Sequence, residues 1–384
     1  MNQIQLSRKL ADVHLSGIAT VIKQANALGE EVIRLEVGDV DSEMSPLVSK
    51  GINQAVKQKK THYPEMTGAP ALVNQIVHGL KQEQINVTEN QVLVTPGGSM
   101  GMYLTFHSLL DPNDEILVLE PIWPHLVQMI KLAGAVPVAI PLDETTDFHI
   151  GEVNIEQYVT PKTKAILINS PNNPTGVVYT ENEIKQLCTI AEKYNLLIIS
   201  DEEYCNFVFG DKKFSSPAQF YKYTIISRSY SKTYAAAGLR LAYVVGPADI
   251  IHTMSKLSLF SSMYPSSIAQ YAVSYALENN DSYPDQLREI FEQRMYSVVN
   301  QLNSIPGISC KPSEGSVYVW VKFSNKDDYK ICEEILNKSK VALVPGSCFG
   351  QSGKGFARLS LGQTQEILNQ AVCRISKLLL PDNT

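Results

Sequence analysis

Apolar positions along the chain follow two patterns. Short runs at 92–95, 115–120, 136–141, 165–169, 196–200, 224–227 and 241–246 alternate with longer stretches whose apolar residues recur at helical spacing. Most of the short runs are apolar throughout. Strands covered on both faces have that pattern, so the middle of the chain predicts a mostly parallel sheet between layers of helices. Upstream, Leu10, Val13, Ile18, Val21 and Ile22 make a stripe that predicts a helix over about residues 8–28. Downstream, an amphipathic segment at 285–302 leads to strand-like runs at 316–323 and 341–344, a turn at Pro345-Gly346 and a strand around 356–361. This end predicts a smaller α+β unit, with the N-terminal helix packed on it. The expected division is a large domain of residues 46–284 and a discontinuous small domain of residues 1–45 and 285–384.

A length of 384 residues fits two domains, and 44% hydrophobic with 19% charged residues is ordinary for a globular enzyme. The net charge of −6 argues against nucleic acid or an anionic membrane as the main partner. Met1-Asn2-Gln3-Ile4-Gln5 has no basic segment followed by an apolar run, so no signal peptide is expected. No apolar stretch reaches the ~18 residues of a membrane span. The expected location is cytoplasmic. The six cysteines lack a CxxC pair and the seven histidines lack HExxH spacing, so reduced thiols and no metal site are expected.

Open α/β sheets bind ligands at the carboxyl ends of their strands, and the chemically informative residues fall there. Lys232 lies in Ser229-Tyr230-Ser231-Lys232, with Arg240 following in Gly238-Leu239-Arg240. A lysine amine can hold pyridoxal 5'-phosphate as an imine, and a serine hydroxyl and an arginine fork suit its phosphate. Asp201 ends an apolar run and can keep the pyridine nitrogen protonated, making the ring an electron sink. Asn173, in Asn173-Pro174-Thr175-Gly176, and Tyr204 can donate hydrogen bonds to the ring phenolate oxygen. Gly98 and Ser99 open a helix whose backbone N–H groups would face the phosphate. Trp123 offers a flat face for stacking, and Arg358 a bidentate clamp for a carboxylate. Taken singly, each has a plain structural reading: a surface turn, a helix cap, a packing tryptophan, a solvated arginine. Their occurrence together, in one order along the chain, points to a cofactor site.

With these motifs the chain resembles the aspartate aminotransferase superfamily of fold type I pyridoxal phosphate enzymes, in its class I/II aminotransferase branch, over nearly its whole length. The resemblance implies Lys232 as the cofactor-bearing lysine, Asp201 on the pyridine nitrogen, Asn173 and Tyr204 on the phenolate, and Ser229 and Arg240 on the phosphate. It implies that Trp123 stacks on the ring, that Arg358 binds the substrate carboxylate and that Gly38 lies near the substrate. The tyrosine that reaches the neighbouring subunit's cofactor in this family corresponds to Tyr63, in Tyr63-Pro64-Glu65-Met66-Thr67-Gly68-Ala69-Pro70, which implies a homodimer with shared active sites.

The chain departs from the family in three places. The stretch at 38–46 replaces the usual G-x-P-D-F-x-T-P. Ser99 stands where some aspartate-specific relatives have lysine. Residues 258–265 lack the arginine that other aspartate enzymes lend to the partner. Aspartate and glutamate are therefore disfavoured as amino donors. Asp39, Asp41 and Glu43, on the altered loop, are either solvated acids or groups that greet a cationic side chain such as that of arginine or lysine. The implied reaction is transfer of an amino group from an α-amino acid to a keto acid. A lyase, cyclase or amino-acid oxidase on the same cofactor cradle is the alternative. A regulator using the fold as a sensor would need an attached DNA-binding domain, and no spare length precedes the first core helix.

Overall fold

A computed structural model describes residues 10, 13–324 and 326–380. Its strands are β1 (Ile33–Arg34), β2 (Val92–Thr95), β3 (Glu115–Glu120), β4 (Val136–Pro141), β5 (Thr163–Asn169), β6 (Leu197–Asp201), β7 (Thr224–Ser229), β8 (Ala242–Val245), β9 (Ile308–Ser309), β10 (Tyr318–Phe323), β11 (Val341–Ala342), β12 (Val344–Pro345) and β13 (Phe356–Ser360). Seven form one sheet in the order β2-β8-β7-β6-β5-β3-β4. Only β8 runs against its neighbours. Along β3, Leu117 and Leu119 enter one apolar core while Ile116 and Val118 enter another on the opposite face. Successive side chains alternate between faces, so a strand covered on both sides is apolar at every position. The edge strand β4 is the exception: Ile140 is buried and Val136 is exposed.

A second, antiparallel sheet runs β12-β13-β10-β9, and β1 pairs with β11 in a small parallel pair. Its core gathers Val319, Val321, Phe323, Ala357 and Leu359 with Phe291, Met295 and Val298 of the helix Tyr283–Leu302.

Three sequence expectations change. The first core helix spans Gly17–Leu28, not residues 8–28, and Ser16 before it is extended. Leu10 and Leu15 are exposed. A helix this short owes its stability to a packed face, and upstream of Gly17 the stripe is not covered. Residues 1–9, 11 and 12 lie outside the described ones. The predicted strand at 316–323 starts at Tyr318, because Ser316 adopts a left-handed φ of 64°. The run at 341–344 divides at Leu343: β11 pairs with β1, β12 with β13. A continuous apolar run here crosses between sheets.

The parallel strands set the site. Asn169 aligns with Asp201, and Asp201 with Ser227, so the carboxyl ends of β5, β6 and β7 lie side by side. The second sheet adds Tyr318 and Arg358 from its paired strands β10 and β13.

Candidate active site

A cavity of about 340 Å³ opens at those strand ends. Its walls include Gly38, Gly98, Ser99, Trp123, Asn173, Asp201, Tyr204, Ser229, Lys232, Arg240 and Arg358, eleven of the twelve residues singled out from the sequence. Tyr63 is the one outside. It is 79% exposed on the surface, its ring 5.3 Å from that of Tyr264.

Each side chain is placed by local structure. Ser229 ends β7 and caps the short helix Tyr230–Thr233, accepting from the Ser231 N–H at 3.0 Å, and this turn projects Lys232 into the cavity. Lys232 Nζ lies 3.8 Å from Asp39 Oδ1. Arg240 has a left-handed backbone, φ 51°, and its Nη1 donates to the Ala237 carbonyl at 3.0 Å. Gly97, at φ 91°, caps the helix Gly98–Leu109. A Cβ on Gly97 would lie 2.2 Å from Arg240 Nη2, and one on Gly98 would lie 1.8 Å from Glu203 Oε1, so both side chains come close to this turn, whose left-handed φ at Gly97 favours glycine.

At the other end, Arg358 is buried. Its Nη1 donates to Asn173 Oδ1 at 2.9 Å and its Nη2 to the Glu36 carbonyl at 2.6 Å, while its Nε has no partner. Its guanidinium sits 4.2 Å from the centre of the Tyr318 ring. Asn173 is thereby oriented with its oxygen on Arg358, which leaves its amide N–H groups to donate elsewhere. The backbone N–H of Asn173 is fixed by Asn169 Oδ1 at 2.7 Å. Tyr204 and Tyr318 share a hydroxyl hydrogen bond of 2.8 Å.

Burial dominates the electrostatics. It raises the Asp201 carboxyl well above the usual range, with Glu203 adding to the effect. Burial pushes Glu203 up to about 7, against the pull of Ser229, Lys232 and Arg240. Burial raises Tyr204 and lowers His125, the latter helped by the Arg358 charge.

Several contributors escaped the sequence reading. Tyr318 comes from β10 and carries no local motif. His125 stacks on Trp123 at 4.5 Å. Ile18 and Ile22 bring the first helix to the cavity wall. Glu203 was not singled out either, although it stands between Asp201 and Tyr204. Of the three acids on the altered loop, only Asp39 reaches the cavity. Asp41 is tied to Arg294 through bonds of 2.6 and 3.1 Å, and the Glu43 carbonyl accepts from the Tyr283 hydroxyl. The Asp41 carboxylate is thus held by the buried Arg294, while Glu43 is exposed and takes part through its backbone.

The residues fit pyridoxal 5'-phosphate. Asp201 is 4% exposed, and the hydrogen bond described for its carboxylate comes from the Glu203 backbone N–H at 3.3 Å. A buried carboxyl without a cation calls for one, and a protonated ring nitrogen supplies it. Arg240, Ser229 and the start of the helix Gly98–Leu109 gather donors for a phosphate. Lys232 stands among them on the cavity wall.

The class I and II aminotransferase family model matches residues 30–375. A probable aspartate/prephenate aminotransferase of Aquifex aeolicus is 35% identical, covering 94% of each chain. An aspartate aminotransferase of Geobacillus stearothermophilus is 32% identical over 98% of this chain and 99% of its own. The solved Thermus thermophilus aspartate aminotransferase with maleate superposes with a TM-score of 0.93 at 29% identity, over 98% of this chain and all of that one.

Proposed function

This chain belongs to the class I and II aminotransferase family, as a pyridoxal phosphate-dependent enzyme moving an amino group from an amino acid to a keto acid, and we propose which of its residues run that reaction. When bound, the cofactor supplies an electron-accepting ring that stabilises negative charge at the substrate α-carbon. Lys232 Nζ would hold it and is the base that would move a proton at that carbon. The Asp201 carboxylate keeps the pyridine nitrogen protonated. Asn173 and Tyr204 donate to the phenolate oxygen. Ser229, Arg240 and the N–H groups at Gly98 and Ser99 hold the phosphate, and Trp123 covers the ring.

Arg358 takes the substrate α-carboxylate, and this observation carries the reading. Its guanidinium is buried on the cavity wall, oriented by Asn173 and the Glu36 carbonyl, with Nε left unpartnered. A carboxylate satisfies such a group. Gly38 keeps the wall open there, since a Cβ at this position would meet the Tyr318 hydroxyl at 1.9 Å. The enzyme acts as a homodimer in which Tyr63 completes the neighbouring site. Among the described residues, no helix is long and apolar enough to cross a membrane. Residues 46–284 form the large domain, and 1–45 with 285–384 the small one.

For the amino donor, the cavity walls favour a side chain that is not an acid. Their cations are Lys232, Arg240 and Arg358, all assigned above, and Asp39 adds a negative group 3.8 Å from Lys232 Nζ. A cationic or neutral side chain suits that wall better than a second carboxylate. The relatives named for aspartate support the opposite reading. Comparing kcat/KM for arginine, a neutral amino acid and aspartate decides between them, and a clear preference for aspartate overturns the assignment. The lysine is tested separately. Borohydride should fix the cofactor on Lys232, and a pyridoxyl adduct on any other lysine refutes the site.

A further inference from the structure

We propose that Glu203 links cofactor binding to a proton: its carboxyl shares the phosphate end of the cavity and carries a proton whenever the phosphate dianion is held there. The inference rests on the assignment of Ser229, Arg240 and the Gly98–Leu109 helix start to the phosphate.

The placement comes from packing. Glu203 Oε1 lies so close to Gly98 that a Cβ there would sit 1.8 Å away, and this oxygen has no hydrogen-bond partner. The carboxyl therefore touches the first turn of the helix that offers its N–H groups to an anion. It lines the same wall as Ser229 and Arg240. The hydroxyls of Ser229 and Ser227, on β7, face it, as do the charges of Lys232 and Arg240. From its own segment, Asp201 adds a like charge, and the Cys205 thiol lies near. Glu202 is already satisfied by Arg228 Nε at 2.9 Å and Ser216 Oγ at 2.6 Å. The first turn of the Gly98–Leu109 helix brings no titratable side chain.

A carboxylate and a phosphate dianion in one partly buried cradle repel each other. Once protonated, the carboxyl becomes an O–H donor, and the unpartnered oxygen then has a use: to donate to a phosphate oxygen. On binding, one proton enters from solvent to the Glu203 carboxyl, and no bond breaks. Burial holds Glu203 at about 7 before any anion arrives, so the neutral form is accessible near neutrality. Binding raises it further. Affinity is then full below that range and declines as pH rises through it, by up to about tenfold per pH unit for one linked proton.

The test uses full-length protein freed of cofactor and titrated with pyridoxamine 5'-phosphate, which lacks the aldehyde needed to bond Lys232. Its Kd is measured from pH 6 to 9 for wild type, Glu203→Gln and Glu203→Val, with calorimetry in two buffers to count protons. Wild type should lose about tenfold more affinity per pH unit above neutrality than either variant. It should also take up close to one more proton on binding near pH 8. Superimposable pH profiles and equal proton uptake overturn the proposal. Arg240→Ala distinguishes the two layers of argument. If it weakens binding while the Glu203 variants keep the wild-type profile, only the proton linkage fails. If it leaves Kd unchanged, the phosphate assignment fails and takes the linkage with it.

Discussion

The two ends of the cavity are built in different ways. At the ring end, Arg358, Asn173, Asp201 and Tyr204 are between 2% and 6% exposed. Their ties reach far along the chain: Arg358 bonds Asn173 across 185 positions and the Glu36 carbonyl across 322. At the phosphate end, Arg240 is exposed and bonds a carbonyl three residues away, and Ser229 caps its own helix. One end draws residues from both sheets; the other is assembled largely within two short segments, 95–99 and 229–240. The ring end, fixed in advance by buried hydrogen bonds, is suited to orient a reacting bond. The phosphate end, local and open, is suited to load and hold a cofactor. Substitutions should divide the same way: turnover is lost at the first end, cofactor affinity at the second.

The sharpest break is Asp201→Asn. The amide cannot hold the ring nitrogen protonated, so kcat should fall by at least about a hundredfold while cofactor stays bound through the other end. Turnover near that of wild type would show that the chemistry does not need a charged ring, and absorbance of the bound cofactor checks retention. Arg358→Gln comes next. It removes the buried charge that meets the carboxylate and leaves Asn173 Oδ1 and the Glu36 carbonyl with one fewer strong donor. Truncating such a charge costs roughly 2–5 kcal/mol, so kcat/KM should fall by about 30-fold or more with little change in cofactor Kd. A loss in cofactor affinity as large as the loss in kcat/KM would erase the distinction between the ends. Tyr318→Phe should be milder. It removes one buried hydrogen bond to Tyr204, worth about 1 kcal/mol, and kcat/KM should drop a few-fold.

The same contrast explains what was legible in the sequence. The residues assigned to the phosphate end share one cavity wall with Lys232, and the sequence groups them because Ser229, Lys232 and Arg240 lie within a dozen residues. Asp201 and Asn173 were readable because strand ends in a parallel sheet converge. Tyr318 and His125 were not, since nothing local distinguishes a tyrosine on an antiparallel strand from a core residue until β10 docks against Tyr204. The altered loop was half legible. Its acids were visible, but only the fold separates Asp39 on the cavity wall from Asp41 on Arg294. The start of the first helix was misread because periodicity records which residues are apolar and not whether anything covers them.

The smallest effect expected is at Tyr63, and it tests whether the phosphate end is complete in one chain. Within the chain that end already has Arg240, Ser229 and the helix start, so a further hydroxyl is one donor among several. Tyr63 lies outside the cavity, exposed, beside Tyr264. It can serve a phosphate only from a neighbouring copy. Tyr63→Phe should keep the ring and its packing, leave kcat within about twofold, and raise cofactor Kd several-fold, up to about tenfold, the loss of one charge-assisted hydrogen bond. Sedimentation should show the same dimer for both proteins. Mixing Tyr63→Phe with Lys232→Ala protein sharpens the test: a heterodimer would hold one site with both changes and one with neither, so activity should appear in the mixture at the wild-type cofactor Kd. An unchanged Kd in Tyr63→Phe alone, or a fully active monomer, would mean that the loops of a single chain suffice to hold the phosphate.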